Sequence, residues 1–239
     1  MDLHAGRRFP RLVAAGSLAA AAAAAAAAAL IALGHRELPA ARFEFGLVRS
    51  FRGLIVADPY PSLIVARGEG SSRHLLSGPG KSGAEALVES AVGRLAALRG
   101  TLAVRGGQTM IQVEPGSVVP LEAPGSRPPP LPETDLGERY VEGEIVGSKC
   151  YLGVMNPGSG IAHRACATVC ILGGVAPLLE VRHEDGRREG FVLAGPKGEA
   201  VWTRLRGLVA TPVGVTGRLV RRGGTTFLLA DPAAIRRLQ

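Results

Sequence analysis

The second half of this chain repeats short blocks of the first half, and this internal similarity limits the fold more than any other feature of the sequence. Four blocks recur: residues 53–56 at 143–146, 61–65 at 177–181, 75–79 at 192–196, and 99–110 at 216–227. The offset is 117 for the last two blocks, 116 for the second and only 90 for the first. Such a pattern predicts two copies of one structural unit. The second copy carries about 26 extra residues after its first block.

Each copy has the same predicted order of elements, β-β-β-α-β-β. In the first copy, the hydrophobic pattern predicts strands over residues 51–56, 63–66 and 73–77, a helix over 83–98, and a hairpin of 100–105 with 108–114. The hairpins turn at Gly106-Gly107 and at Gly223-Gly224, and the second helix is shorter, over 199–206. This order resembles the OB-fold, a small five-stranded Greek-key barrel. An SH3-like barrel or a small open sheet with one helix also fits it.

A proline-rich stretch lies between the two copies and predicts a semi-rigid linker. We therefore expect a mainly β protein in which one N-terminal transmembrane helix precedes two tandem OB-like barrels. The predicted parts are residues 1–34 as cytoplasmic N-terminus and anchor, 42–119 as the first domain, 120–139 as the linker, and 140–239 as the second domain with an insertion at 147–176.

The N-terminal segment predicts a membrane-bound protein with its body outside the cytoplasm. Residues 12–33 carry no charge, and as a helix they span about 33 Å, enough to cross a hydrocarbon core. Arg7, Arg8 and Arg11 precede this stretch, so the positive-inside rule places the N-terminus in the cytoplasm and the rest in the periplasm. A single-pass anchor in the inner membrane is favoured over a cleaved signal peptide, for which the small residues at 38–41 offer a cleavage site.

The charge of the chain does not indicate nucleic-acid binding. The formal net charge is +8, but 25 of the 28 basic residues are arginine, as a general compositional bias would produce. Proteins that bind single strands also stack bases on aromatic side chains, and only 4% of this chain is aromatic. We therefore expect the membrane and a protein in a membrane complex as partners, and no nucleic acid.

The insertion holds the residues best suited to chemistry. It contains all the cysteines of the chain and one histidine beside them: Cys150, His163, Cys166 and Cys170. Residues 162–172 predict a helix that ends at Gly173, and on that helix the histidine and the last two cysteines form one stripe. Cys150 lies one loop away and completes a set of four. Cysteine and histidine together suit Zn, Cu or iron–sulfur chemistry, so we predict a transition-metal or cluster site.

Disulfide bonding is the alternative, because two cysteines one helical turn apart are close enough to pair. Three cysteines cannot all pair within one chain, however, which favours metal binding. Lys149 and Arg164 flank the thiols, where they either lower a thiol pKa or face solvent. The loop at residues 78–82 ends like a phosphate-binding loop, but position 75 is Leu rather than the required Gly, so we interpret it as a turn.

The insertion also resembles a block found in uncharacterised bacterial membrane-anchored extracytoplasmic proteins. The matching residues are Lys149-Cys150-Tyr151, Gly153-Val154-Met155, Pro157-Gly158 and His163-Arg164 through Cys170. The resemblance covers about one tenth of the chain and implies that the block is a unit.

Two functions fit this sequence. The first is a periplasmic accessory protein with a metal site that supports a respiratory or electron-transfer complex of the membrane. The second is a non-catalytic scaffold in which a disulfide braces an interaction loop. No catalytic triad or pair of carboxylates stands out, which favours a function without catalysis but leaves an enzyme open.

Overall fold

A computed structural model describes residues 8–34, 41–68, 70–122 and 131–238. Its contacts divide the chain into two units, Met1–Leu38 and Pro39–Gln239. The first unit contains the helix α1 (Arg8–Gly34). Within it, Val13–Leu33 has a mean hydropathy of 2.0 and is long and apolar enough to cross a membrane. An N-terminal signal sequence can have the same length and hydropathy.

The second unit begins with a closed five-stranded barrel. Its strands are β1 (Arg49–Val56), β2 (Ser62–Arg67), β3 (Gly70–Ser77), β4 (Leu95–Arg105) and β5 (Gln108–Val113). β1 pairs with β2 and β4, β2 pairs with β3, and β4 pairs with β5, all antiparallel. A parallel pairing of β3 with β5 closes the barrel, and a short helix α2 (Glu85–Val88) lies between β3 and β4. This is the strand order of an OB-fold.

The second barrel has the same order. Its strands are β6 (Glu133–Gly147), β7 (Pro177–Arg182), β8 (Arg188–Ala194), β9 (Pro212–Arg222) and β10 (Thr225–Leu229). β8 pairs with β10 in parallel, and the other neighbours are antiparallel. Two-residue strands lie at the edges of β4 and β9: Arg42–Phe43, Val119–Pro120 and Arg236–Arg237. The predicted fold of a mainly β chain with two OB-like barrels is confirmed.

Paired glycines close the last hairpin of each barrel, as the sequence predicts. Gly106 and Gly107 have φ angles of 55° and 81°, and Gly223 and Gly224 have 58° and 81°. Two consecutive positive φ values define the type I′ turn, which matches the twist of the strands it joins and which glycine adopts without strain.

The predicted first helix is much too long. Only α2 and one turn of 3-10 helix (Glu89–Ala91) form, and β4 already begins at Leu95. Gly93 follows with a φ of 78°, a conformation that ends helices. From Leu95 on, the apolar residues alternate between the barrel interior and its outside, and that burial outweighs the helical periodicity. The second helix, predicted over 199–206, is a 3-10 turn at Trp202–Leu205.

The predicted linker is shorter than expected. Residues 123–130 lie outside the described part of the chain, but residues 133–139 belong to β6 and pair with β9. The end of this pairing is reinforced by Glu133, whose carboxylate lies 2.6 Å from Nε of Arg222. Cross-strand pairing with β9 therefore extends the second barrel beyond the start that the repeated blocks indicated.

The two barrels pack against each other over a shared apolar core. Residues of both barrels contribute to it: Tyr60, Leu75, Ala103 and Met110 from the first, and Val146, Val192, Val220 and Phe227 from the second. The hydroxyl of Tyr60 donates to the carbonyl of Leu193 at 2.7 Å and accepts from the backbone N–H of Val201 at 3.2 Å. Each barrel also has a core of its own, one around Ile55 and one around Ile145. The barrels thus form a single compact body.

Candidate metal centre

The insertion joins β6 to β7 and therefore occupies the loop between the first two strands of the second barrel. It starts with a π-helical turn over Cys150–Val154, in which Gly153 has a φ of 107°. A 3-10 turn at Ile161–His163 leads into helix α3 (Arg164–Leu172), which ends at Gly173 as the sequence predicts. The loop in this position commonly carries binding residues of OB-folds.

The three cysteines converge at this loop. The Sγ atoms of Cys150, Cys166 and Cys170 all lie within 4.8 Å of one another. Cys166 and Cys170 are one turn apart on α3, which places their side chains on the same face of the helix. Cys150 and Cys170 are buried, Cys166 is partly exposed, and all three are free thiols. The alternative prediction, a disulfide bond between two of these cysteines, is therefore not formed in this structure.

His163 does not join the three sulfurs. It is buried, with 5% of its surface exposed, and its Nε2 atom has no hydrogen-bond partner. It is not among the residues whose ligand atoms fall within 4.8 Å of the others. His163 lies in the 3-10 turn before α3, where the geometry departs from the regular helix on which the predicted stripe depended. Burial, with a contribution from Lys81, lowers the pKa of His163.

Two lysines from different barrels lie beside the cysteines. The ammonium group of Lys81, in the loop between β3 and α2, donates to Sγ of Cys166 at 2.7 Å. Lys149 is 2% exposed and donates to the carbonyl oxygens of Gly78 at 2.7 Å and Gly80 at 2.9 Å. Lys149 therefore holds the loop that carries Lys81, and both positive charges lie next to the thiols.

The cysteines influence one another as well. The hydrogen bond from Cys150 lowers the pKa of Cys170 to about 6, and the charges of Lys81 and Lys149 act in the same direction. The same hydrogen bond and burial raise the pKa of Cys150. A hydrogen bond to Cys166 raises the pKa of Lys81, whereas burial lowers that of Lys149. Proximity thus favours a thiolate in the cluster, which is the form that binds metals.

A cavity of about 310 Å³ opens beside the sulfurs. The three cysteines and both lysines line it, together with Gly80, Gln112, Val154 and Met155. Three thiolates within reach of one ion are a suitable donor set for a thiophilic transition metal, and the cavity leaves space next to them. The residues present therefore fit a metal ion.

Lys81 is the residue of the site that the sequence did not reveal. The loop at residues 78–82 is the turn we predicted, and it places Lys81 of the first barrel in contact with Cys166 of the second. No local spacing relates Lys81 to Cys166, because 85 residues separate them. At the offset of 117, the second copy has Gly198 at the position of Lys81, so the comparison of the copies holds no signal either. Arg164, the other basic residue that flanks the cysteines in the sequence, donates from its guanidinium group to the carbonyl of Ala210 at 3.2 Å.

No protein-family model matches the chain, and no curated protein matches it. Among solved structures, the single-stranded DNA-binding protein of Thermus aquaticus is 16% identical, with 84% of this chain and 87% of that chain covered and a TM-score of 0.23. A deletion variant of the same protein is 15% identical, with 84% and 89% covered and a TM-score of 0.25. TM-scores this low carry no argument about function, and the OB-fold assignment rests on the strand pairing of the two barrels.

Proposed function

We propose that this chain is a membrane-anchored periplasmic protein that binds one transition-metal ion through Cys150, Cys166 and Cys170. The observation that carries the proposal is the convergence of the three sulfurs within 4.8 Å at a cavity between the two barrels. α1 serves as the anchor, with its N-terminus in the cytoplasm. A tether together with a metal site suits an accessory role beside a membrane complex.

The three clustered thiols and the buried Lys149 favour metal binding over a scaffold role without chemistry. A loop that only needed bracing would be served by one disulfide, whereas all three cysteines are thiols held together in one cluster. The buried Lys149 fixes the loop of the first barrel against the insertion through two carbonyl groups. Burial of a lysine is costly without such partners, so the two hydrogen bonds offset that cost and fix Lys149 beside the cluster.

Metal analysis of the full chain tests the proposal. The chain is purified in detergent under anaerobic, reducing conditions, incubated with metal salts, and freed of unbound metal by gel filtration. We expect one metal ion per chain and its loss in Cys150→Ser and Cys170→Ser. The control Thr168→Ala alters a half-buried residue of the same helix, whose hydroxyl donates to the carbonyl of Arg164, and should retain the metal.

A second variant separates the three-sulfur site from the predicted set of four ligands. His163→Gln should also retain the metal, because its imidazole is not part of the converging group. Wild-type chain with well under one metal ion would contradict the proposed function. Circular dichroism of every variant distinguishes loss of ligands from loss of fold.

A further inference from the structure

The number of sulfur donors restricts which metal this site suits. The chain has three cysteines, and all of them are in the cluster. Structural zinc sites are closed by four protein ligands, and clusters of iron and sulfide are held by four cysteines. His163 does not supply the fourth ligand here. Three sulfurs therefore suit an ion that accepts a low coordination number and prefers soft donors.

A fourth soft donor borders the same cavity. Met155 lies in its wall together with the three cysteines, and 46% of the methionine surface is exposed. Thiolates together with a thioether select Cu(I) among the common biological metals.

Charge distinguishes a monovalent from a divalent ion at this site. Three thiolates with Cu(I) carry two negative charges, whereas three thiolates with Zn²⁺ carry one. The ammonium groups of Lys81 and Lys149 line the cavity and supply two positive charges. They therefore stabilise the copper complex by more than the zinc complex. Because both complexes contain the same three thiolates, this preference does not depend on how the free thiols titrate.

We propose that the cluster binds Cu(I) in preference to Zn²⁺, with Lys81 as the positioning residue that sets the preference through its contact with Cys166 and with Met155 as a further sulfur donor in the cavity wall. This inference rests on the proposed function and adds the identity of the metal. The contact of 2.7 Å between the Lys81 ammonium and the Cys166 sulfur is the geometry that carries it.

Competition measurements on the full chain test the proposal. Under anaerobic conditions, Cu(I) is titrated against the chelator bathocuproine disulfonate, and Zn²⁺ against a chromophoric zinc chelator, which yields the ratio of the two affinities. We expect wild type to bind Cu(I) more tightly and Lys81→Gln, which removes an exposed charge, to lower the ratio of copper to zinc affinity about two- to fivefold. Lys81→Arg keeps the charge and should restore most of the ratio. Lys197→Gln, which alters an exposed lysine elsewhere, should leave it unchanged.

Met155→Leu provides a second measurement, because it removes the thioether but preserves apolar volume. We expect it to weaken Cu(I) binding severalfold and to leave Zn²⁺ binding nearly unchanged. An unchanged affinity ratio in Lys81→Gln, or preferential retention of zinc from an equimolar mixture, would overturn the inference and leave the proposed metal site standing. A wild-type chain that binds neither ion would overturn both.

Discussion

Lys81 Nζ in the first barrel lies 2.7 Å from Cys166 Sγ in the second, although the two residues are 85 positions apart in the sequence. The backbone around them is equally close, since the N–H of Gly83 donates to the carbonyl of Gly173 at 2.6 Å. The loop after β3 therefore packs directly on the end of α3. The cysteine cluster is built from the insertion of one barrel and completed by a loop of the other.

Gly173→Ala tests how closely this contact is packed. A Cβ atom at Gly173 would collide with the backbone carbonyl of Lys81, which has little freedom to move. We expect a loss of about 1–3 kcal/mol in the free energy of unfolding, together with weaker metal binding. The matched control is Gly70→Ala, where a Cβ would meet only the carbonyl of Arg67 at 3.8 Å. Equal stability of the two variants in urea denaturation would contradict a rigid contact at this point.

Tyr60→Phe tests the junction between the barrels. The substitution removes the buried hydrogen bond to the Leu193 carbonyl and leaves the N–H of Val201 without its partner, so it should cost about 1–3 kcal/mol. Tyr140→Phe is the control: its hydroxyl bonds the exposed carboxylate of Glu142, and its removal should change stability by less than about 0.5 kcal/mol. Urea denaturation followed by the fluorescence of Trp202 measures both. A Tyr60→Phe variant as stable as wild type would show that this hydroxyl does not hold the barrels together.

The stability of the body should fall in mild acid because of His74. Burial, with the nearby charge of Arg67, lowers the pKa of His74 below its usual value of 6.5, and the ring contacts Thr109 and Ser72 at 2.7 and 3.2 Å. The unfolded chain therefore takes up a proton near pH 6.5 that the folded chain still resists. Stability is complete above that pH and falls below it, with a slope of at most about 1.4 kcal/mol per pH unit from this group.

Denaturation of wild type and His74→Gln at about pH 7 and pH 5 measures this effect. The variant should lose less stability than wild type between the two conditions. His183→Gln, which alters a half-buried histidine beside Glu189, is measured in parallel for comparison. Identical losses in wild type and His74→Gln would assign the acid sensitivity to other groups, of which His163 is one, because its pKa is also lowered by burial.

The membrane anchor is tested by a charge at its centre. Ala24→Arg places a guanidinium in the middle of Val13–Leu33, which costs about 2.5–3.5 kcal/mol of insertion free energy. Wild type should stay in the membrane after alkaline extraction, and the variant should not insert. Ala14→Arg, next to Arg11 at the end of the segment, should behave as wild type. A mature chain that mass spectrometry finds to begin after about residue 40 would contradict the anchor and indicate a signal peptide.

Features that depend on local spacing were predictable from the sequence. The glycine pairs at the two hairpins, the order of strands, and the end of α3 at Gly173 all follow from neighbouring residues, whose conformational preferences act over a few positions. The same local periodicity was wrong for residues 83–98. There, helical spacing of apolar residues competed with burial in the barrel, and Leu95 and Leu98 joined β4.

The candidate site, too, was only partly predictable from the sequence. The sequence by itself determined the apolar N-terminal segment, the two sets of five strands, and the placement of every cysteine in one insertion. Only the tertiary structure decided that three sulfurs converge without His163, that Lys81 reaches Cys166, and that the barrels share the core around Tyr60. These contacts join residues far apart in the chain, and they depend on which faces of the two barrels bury apolar surface against each other, a choice that local spacing does not encode.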